Sequence, residues 1–171
     1  MTFCESFDAY VCEGDVITIE ADGFTVTARI ERDDAPDGEM KKGPGDLSQA
    51  NDKRQDGFWP TLDPQDAGYI GAGKTDADLE TAKAKAKAVM DAWEADEWFY
   101  CGVVLTVSRE GVVLDDHAAS LWGIEANYLD SDNAYLSEVA NQLLPEALET
   151  AHAALARLCA GCGYTDAEAA A

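Results

Sequence analysis

Hydrophobic and polar residues alternate along residues 16–21 (Val-Ile-Thr-Ile-Glu-Ala) and again along 24–31 (Phe-Thr-Val-Thr-Ala-Arg-Ile-Glu), the period of a half-buried strand. Between them stands Asp22-Gly23, a pair suited to the positive φ angles of a type I′ turn, so the spacing predicts a β-hairpin. A two-residue turn sets Ile17, Ile19 and Ala21 on the same face as Phe24, Val26, Ala28 and Ile30. Thr18, Glu20, Thr25, Thr27, Arg29 and Glu31 fall on the other, wet face.

The period changes to a helical one over residues 76–97, where Leu79, Ala82, Ala86, Val89/Met90 and Trp93 share a stripe. Thr75 or Asp76 is the expected N-cap, and Lys83 and Lys87 lie on another face. Residues 98–108 are aromatic and β-branched; with Val112-Val-Leu114 beyond Gly111, and Ser120-Leu-Trp-Gly-Ile124, they predict three further strands. Over 133–159, Leu136, Val139/Ala140, Leu143, Leu148, Ala151, Leu155 and Leu158 recur at helical spacing. Pro145 cannot donate a backbone hydrogen bond, so a kink or two abutting helices is expected there.

Residues 33–75 contain Pro36, Pro44, Pro60 and Pro64 among many Gly and Asp, and read as one long connection. Phe58-Trp59-Pro60 and Tyr69-Ile70 are expected to pin part of it to the core. The links between strands are too short for parallel crossovers. The expectation is an α+β fold in a single domain, 1–171, with an antiparallel sheet of about four to five strands and two main helices on one face.

Composition agrees with a packed core: 47% of the 171 residues are hydrophobic, with four Trp, five Phe and six Tyr. No run nears the roughly 20 apolar residues of a membrane span, and the first ten residues lack a signal-peptide pattern, so a soluble, unprocessed, cytoplasmic chain is expected. The five Cys are an odd number without framework spacing, which predicts free thiols in a reducing compartment.

Charge changes the picture more. There are 34 acidic and 12 basic residues, a formal net of −22. The excess runs through the predicted elements rather than forming a tail: residues 1–39 hold eleven acids and two bases, whereas 40–75 are balanced. Such a field repels phosphate backbones and anionic lipid, disfavouring direct nucleic-acid or membrane binding, and attracts proteins with basic clefts. Solubility alone requires a net charge of only about 2–8 in a small domain. Adaptation to high salt and mimicry of a polyanion are the two explanations left.

Three local motifs invite chemistry. Gly68-Tyr-Ile-Gly-Ala-Gly73-Lys74-Thr75 satisfies the Gly-x4-Gly-Lys-Ser/Thr phosphate-loop pattern, with Gly73, Lys74 and Thr75 as nucleotide-binding residues and Asp116 as a magnesium ligand. The two prolines and two acids before it do not suit the buried strand that should feed such a loop, so a Gly-rich start to the following helix is the simpler reading. Cys159-Ala-Gly-Cys162 has the spacing of half a zinc site but lacks a second close pair, and reads as two small thiols at a helix end. Asp115-Asp116-His117 reads as a turn or strand-end cluster, since no nucleophile elbow accompanies it. No cofactor, no metal and no catalytic residue is assigned.

Rigidly spaced carboxylates can compete with nucleic-acid phosphates for a Lys/Arg groove. Glu20 and Glu31 on the hairpin, with Asp33, Asp34, Asp37 and Glu39 beyond it, form one expected partner-binding cluster. Asp91, Glu94, Asp96 and Glu97 form a second within two helical turns, and Asp115 and Asp116 are further candidates. Gly57-Phe-Trp-Pro60, Asp66-Ala-Gly-Tyr-Ile70, Asp96-Glu-Trp-Phe-Tyr-Cys101, Ala119-Ser-Leu-Trp-Gly-Ile-Glu125 and Val139-Ala-Asn141 resemble stretches of small phage and mobile-element proteins. In overall character the chain is similar to the acidic DNA-mimic inhibitors of those elements. That resemblance implies a non-enzymatic inhibitor of a host defence complex, anti-CRISPR first and anti-restriction next. Its implied partner is a basic nucleic-acid-binding protein or ribonucleoprotein, and a homodimer is left open.

Overall fold

The computed structural model describes residues 1–33 and 73–162, apart from the side chains of residues 161 and 162. Its elements are β1 (Val16–Ala21), β2 (Phe24–Arg32), α1 (Asp76–Glu94), β3 (Phe99–Arg109), β4 (Val112–Ala126) and α2 (Ala134–Cys162). The strands form one antiparallel sheet in the order β1-β2-β3-β4, so the expected α+β architecture is observed. The expected connection through 34–72, with its anchoring aromatics, lies outside the described residues.

Each hairpin turns on the residues that its backbone requires. Asp22 and Gly23 have φ of 51° and 79°, and Glu110 and Gly111 repeat the device between β3 and β4 at 52° and 79°. The β1–β2 register pairs Ala21 with Phe24, Ile19 with Val26 and Ile17 with Ala28, as the alternation requires. Those side chains, Ile30, and Val103, Leu105 and Val107 of β3 make the buried face. Helix α2 lies on it through Leu136, Val139, Ala140, Leu144, Ala147 and Ala151.

The central strands depart from the expectation. Two strands replace the three predicted, because β4 continues from Val112 to Ala126 and absorbs surplus residues in three register irregularities against β3. Asp115-Asp116-His117 therefore lies in mid-strand, at one of these irregularities, rather than at a strand end. Helix α2 runs unbroken through Pro145, neither dividing nor giving way to an abutting helix. Leu144 and Ala147, fully buried on either side of that proline, hold both halves on the same sheet.

Helix α1 ends at Glu94, short of the predicted 97, and Asp96 has left-handed φ (59°). It does not share the α2 face. Val89 and Ala92 join Trp98 in a second cluster with Trp93, Tyr100 and Tyr128, and Tyr100 alternates with the core-facing Phe99 and Cys101. The Trp98 indole Nε1 donates to the Val89 carbonyl at 2.9 Å.

The N-terminal arm, residues 3–11, is held by side chains acting on main chain. Phe3, Phe7 and Val11 bury their side chains in the core, while their N–H groups donate to Asn141 Oδ1, Ser137 Oγ and Asn127 Oδ1. Asn133, 2% exposed, donates from Nδ2 to the Ala9 carbonyl and to Asn127 Oδ1, and accepts from the Asn127 N–H. Asn127 and Asn133 both have left-handed φ (59° and 58°), which Asn tolerates better than other side-chain-bearing residues.

Cys4, Cys12 and Cys159 are exposed free thiols, whereas Cys101 is buried in β3. Burial, then the negative charge of Asp33, pushes the Cys101 thiol up to about 12. Gly102, its neighbour, lies under the Trp122 indole, with which any Cβ at this position would collide. None of the described helices is long and apolar enough to cross a membrane.

Candidate functional site

The expected hairpin ladder is not one. Glu20 pairs with Thr25 beside the turn, while Glu31 pairs with Gly102 six residues further along β2, about 20 Å away at strand rise. Glu20 Oε1 accepts from Thr25 Oγ1 at 2.7 Å. Glu31 accepts from Arg29, two residues along the same face, and that ion pair removes much of its field. Asp33 ties the far end together: its N–H donates to the Tyr100 carbonyl and its Oδ2 accepts from the Gly123 N–H at 3.2 Å. Asp34, Asp37 and Glu39 lie outside the described residues.

The second cluster is brought together, in part past the helix end. Asp91 pairs with Lys87 one turn earlier (2.7 Å), and Asp96 pairs with Arg32 of β2. The same Arg32 guanidinium sits 5.1 Å from the Phe99 ring centroid, so the pair ties α1 to the sheet. Glu94 and Glu97 complete an exposed acidic end to α1.

Asp115 and Asp116 are committed locally. Asp115 Oδ1 accepts from the His117 N–H at 2.9 Å, closing a turn inside the β4 bulge. The Asp116 carboxyl is held below its usual range, chiefly by a hydrogen bond from His117, whose Nδ1 is 3.3 Å away. No group of three or more metal-binding side chains occurs among the described residues.

The described end of the phosphate-loop motif serves the helix instead. Thr75 is the N-cap of α1, and its hydroxyl accepts from the Asp78 N–H at 3.2 Å. In return, Asp78 Oδ2 accepts from the Thr75 N–H and hydroxyl, each at 2.8 Å, completing a capping box. A carboxylate, held below its ordinary pKa mainly by that backbone bond, thus occupies the helix start where a phosphate would have to sit. Gly73, Lys74 and Thr75 are a capping turn; Gly68 to Ala72 lie outside the described residues. At the Cys159-Ala-Gly-Cys162 motif, Cys159 is exposed near the end of α2, and His152, seven residues before it, makes an edge contact with Phe24 at 5.0 Å.

A third acidic group escaped sequence reasoning. Glu138, Glu146 and Glu149 are exposed on α2 opposite Leu136, Val139, Leu144 and Ala147, with exposed Gln142 on the same stripe. From Glu138 to Glu149 the stripe rises about 16 Å along the helix axis. The spacing was present in the sequence, but each carboxylate stands apart, and a search for adjacent acids passes over them. Four described cations, Arg29, Arg32, Lys83 and Lys87, are spent in ion pairs, and none of them meets this stripe.

Comparison with family models, with curated proteins and with solved structures returned no match.

Proposed function

We propose that the chain is a non-enzymatic polyanion mimic: it occupies the basic nucleic-acid groove of a host defence complex, a CRISPR effector foremost and a restriction enzyme next, and excludes DNA or RNA by competition. The observation that carries this reading is a net charge of −22 in which 13 of the 34 acidic residues stand on the described strands and helices, at positions set by the fold. Fixed charges reach a cationic groove without the ordering entropy that a disordered acidic tail would lose. The best-placed groups are the α2 stripe of Glu138, Glu146 and Glu149, with Glu94 and Glu97 at the α1 end; Asp91 and Asp96 beside them are answered by Lys87 and Arg32. Glu20, Asp33, Asp115 and Asp116 contribute field at longer range, and Glu31 contributes least because Arg29 answers it.

Competition makes the reading testable. The purified chain should inhibit DNA cleavage by such a complex, with inhibition relieved by excess duplex and by rising salt. Combining Glu138→Gln, Glu146→Gln and Glu149→Gln with Asp91→Asn, Glu94→Gln, Asp96→Asn and Glu97→Gln should raise the half-inhibitory concentration at least about tenfold. Unchanged inhibition by that variant, or no inhibition of either class of nuclease by the native chain, overturns the proposal.

A further inference from the structure

Residues 1–28 contain six acidic side chains and no Lys, Arg or His. Within this stretch, the N-terminal arm and the start of β1 leave between them a groove of about 420 Å³. Glu5, Phe7 and Asp8 line it from the arm, and Asp15, Val16 and Ile17 from the sheet side. One Asp15 oxygen accepts from the Cys12 N–H at 2.8 Å, which fixes that carboxylate in place.

The sheet side also offers main chain. Strand β1 is at the edge of the sheet among the described residues, and its two-residue turn makes Ala21/Phe24, Ile19/Val26 and Ile17/Ala28 the pairs that exchange backbone hydrogen bonds. Ile30 donates to the Asp15 carbonyl at 3.0 Å in the same phase. Val16, Thr18 and Glu20 therefore turn their N–H and C=O groups away from β2, and no described residue hydrogen-bonds to those groups.

We propose that this groove receives an extended, lysine- or arginine-bearing segment of a partner protein, added as a strand against β1 with its cations facing Glu5, Asp8 and Asp15. The partner class rests on the polyanion reading; the groove names what part of a basic partner is gripped. A strand presents its side chains with period two, so one set meets the three carboxylates while the other lies along the wet face beside the half-exposed Val16. Backbone pairing supplies affinity that a polyphosphate cannot share, and the carboxylates select a cationic sequence.

Fluorescence anisotropy with a labelled octapeptide of alternating lysine and valine tests this, alongside the same peptide N-methylated at alternate amides. Methylation keeps the charge and removes strand pairing. The plain peptide should bind at least about tenfold more tightly than the methylated one. Glu5→Gln/Asp8→Asn/Asp15→Asn should weaken it about tenfold, while Glu138→Gln/Glu146→Gln/Glu149→Gln, an equal loss of charge on α2, should change it less than about twofold. Equal affinity for the two peptides, or equal weakening by the two triple variants, overturns the proposal. No nuclease is involved: peptide binding in this pattern without nuclease inhibition retires the mimicry reading and leaves the groove, and inhibition without peptide binding does the reverse.

Discussion

Helices α1 and α2 look alike as sequence, each an Ala-rich amphipathic segment, yet they are held by different means. Helix α2 buries Leu136, Val139, Leu144, Ala147 and Ala151 against three strands, all at no more than 1% exposure. Helix α1 buries only Ala82, Ala86, Val89 and Ala92, side chains that bring little apolar area. Its helix owes more to local devices: the Thr75/Asp78 capping box, the Lys83–Glu80 and Lys87–Asp91 pairs, and the Trp98 indole on Val89. One helix is dictated by the fold, and the other is written into its own ends.

Four measurements sharpen that contrast. Leu144→Ala should have the largest effect, lowering global stability by about 3 kcal/mol in denaturant unfolding, since it opens a cavity beneath the middle of α2. Asn133→Ala comes next, at about 2 kcal/mol, because it leaves the Ala9 carbonyl and the Asn127 amide unanswered and puts Ala at a left-handed φ. Thr75→Ala should cost about 1 kcal/mol, seen as faster hydrogen exchange in α1 with little change in α2. Equal acceleration in both helices would dissolve the distinction.

The fourth, smallest effect is one of pH. Asp78 has a depressed pKa in the folded state, so its contribution is present above the unfolded-state value of about 3.9 and is lost as pH falls through the lower folded-state value. Exchange protection of α1 should therefore decline on acidification below that range, and Asp78→Asn should flatten the dependence. A profile unaltered by Asp78→Asn would assign the acid sensitivity elsewhere.

What the sequence revealed divides along a physical line. Turns that depend on one or two residues, Asp22-Gly23 and Gly111, were legible, as were Thr75 at the helix start and the alternation of β2. Features that depend on distant chain were not. The continuity of β4 depends on bulges placed by its pairing with β3, and nothing local to Asn127, Asn133 and Asn141 assigns them to hold the main chain of the arm 3–11. At Pro145 the sequence left one kinked helix or two abutting ones; the single helix observed sets the second aside, because sheet packing on both sides of the proline outweighs the missing hydrogen bond. For the acidic surface, counting charges located the α1 end but overvalued Glu31, whose partner Arg29 was already visible two residues away. It missed Glu138, Glu146 and Glu149, which gather into one stripe only when the helix is drawn.

The cysteine sealed in β3 gives this protein its own census of opening. Three described thiols stand in solvent and accept a maleimide at once, whereas Cys101, protonated at neutral pH and closed in by the sheet, waits until β3 separates from its neighbours. Slow labelling at Cys101 therefore counts molecules that have come apart, with no engineered probe.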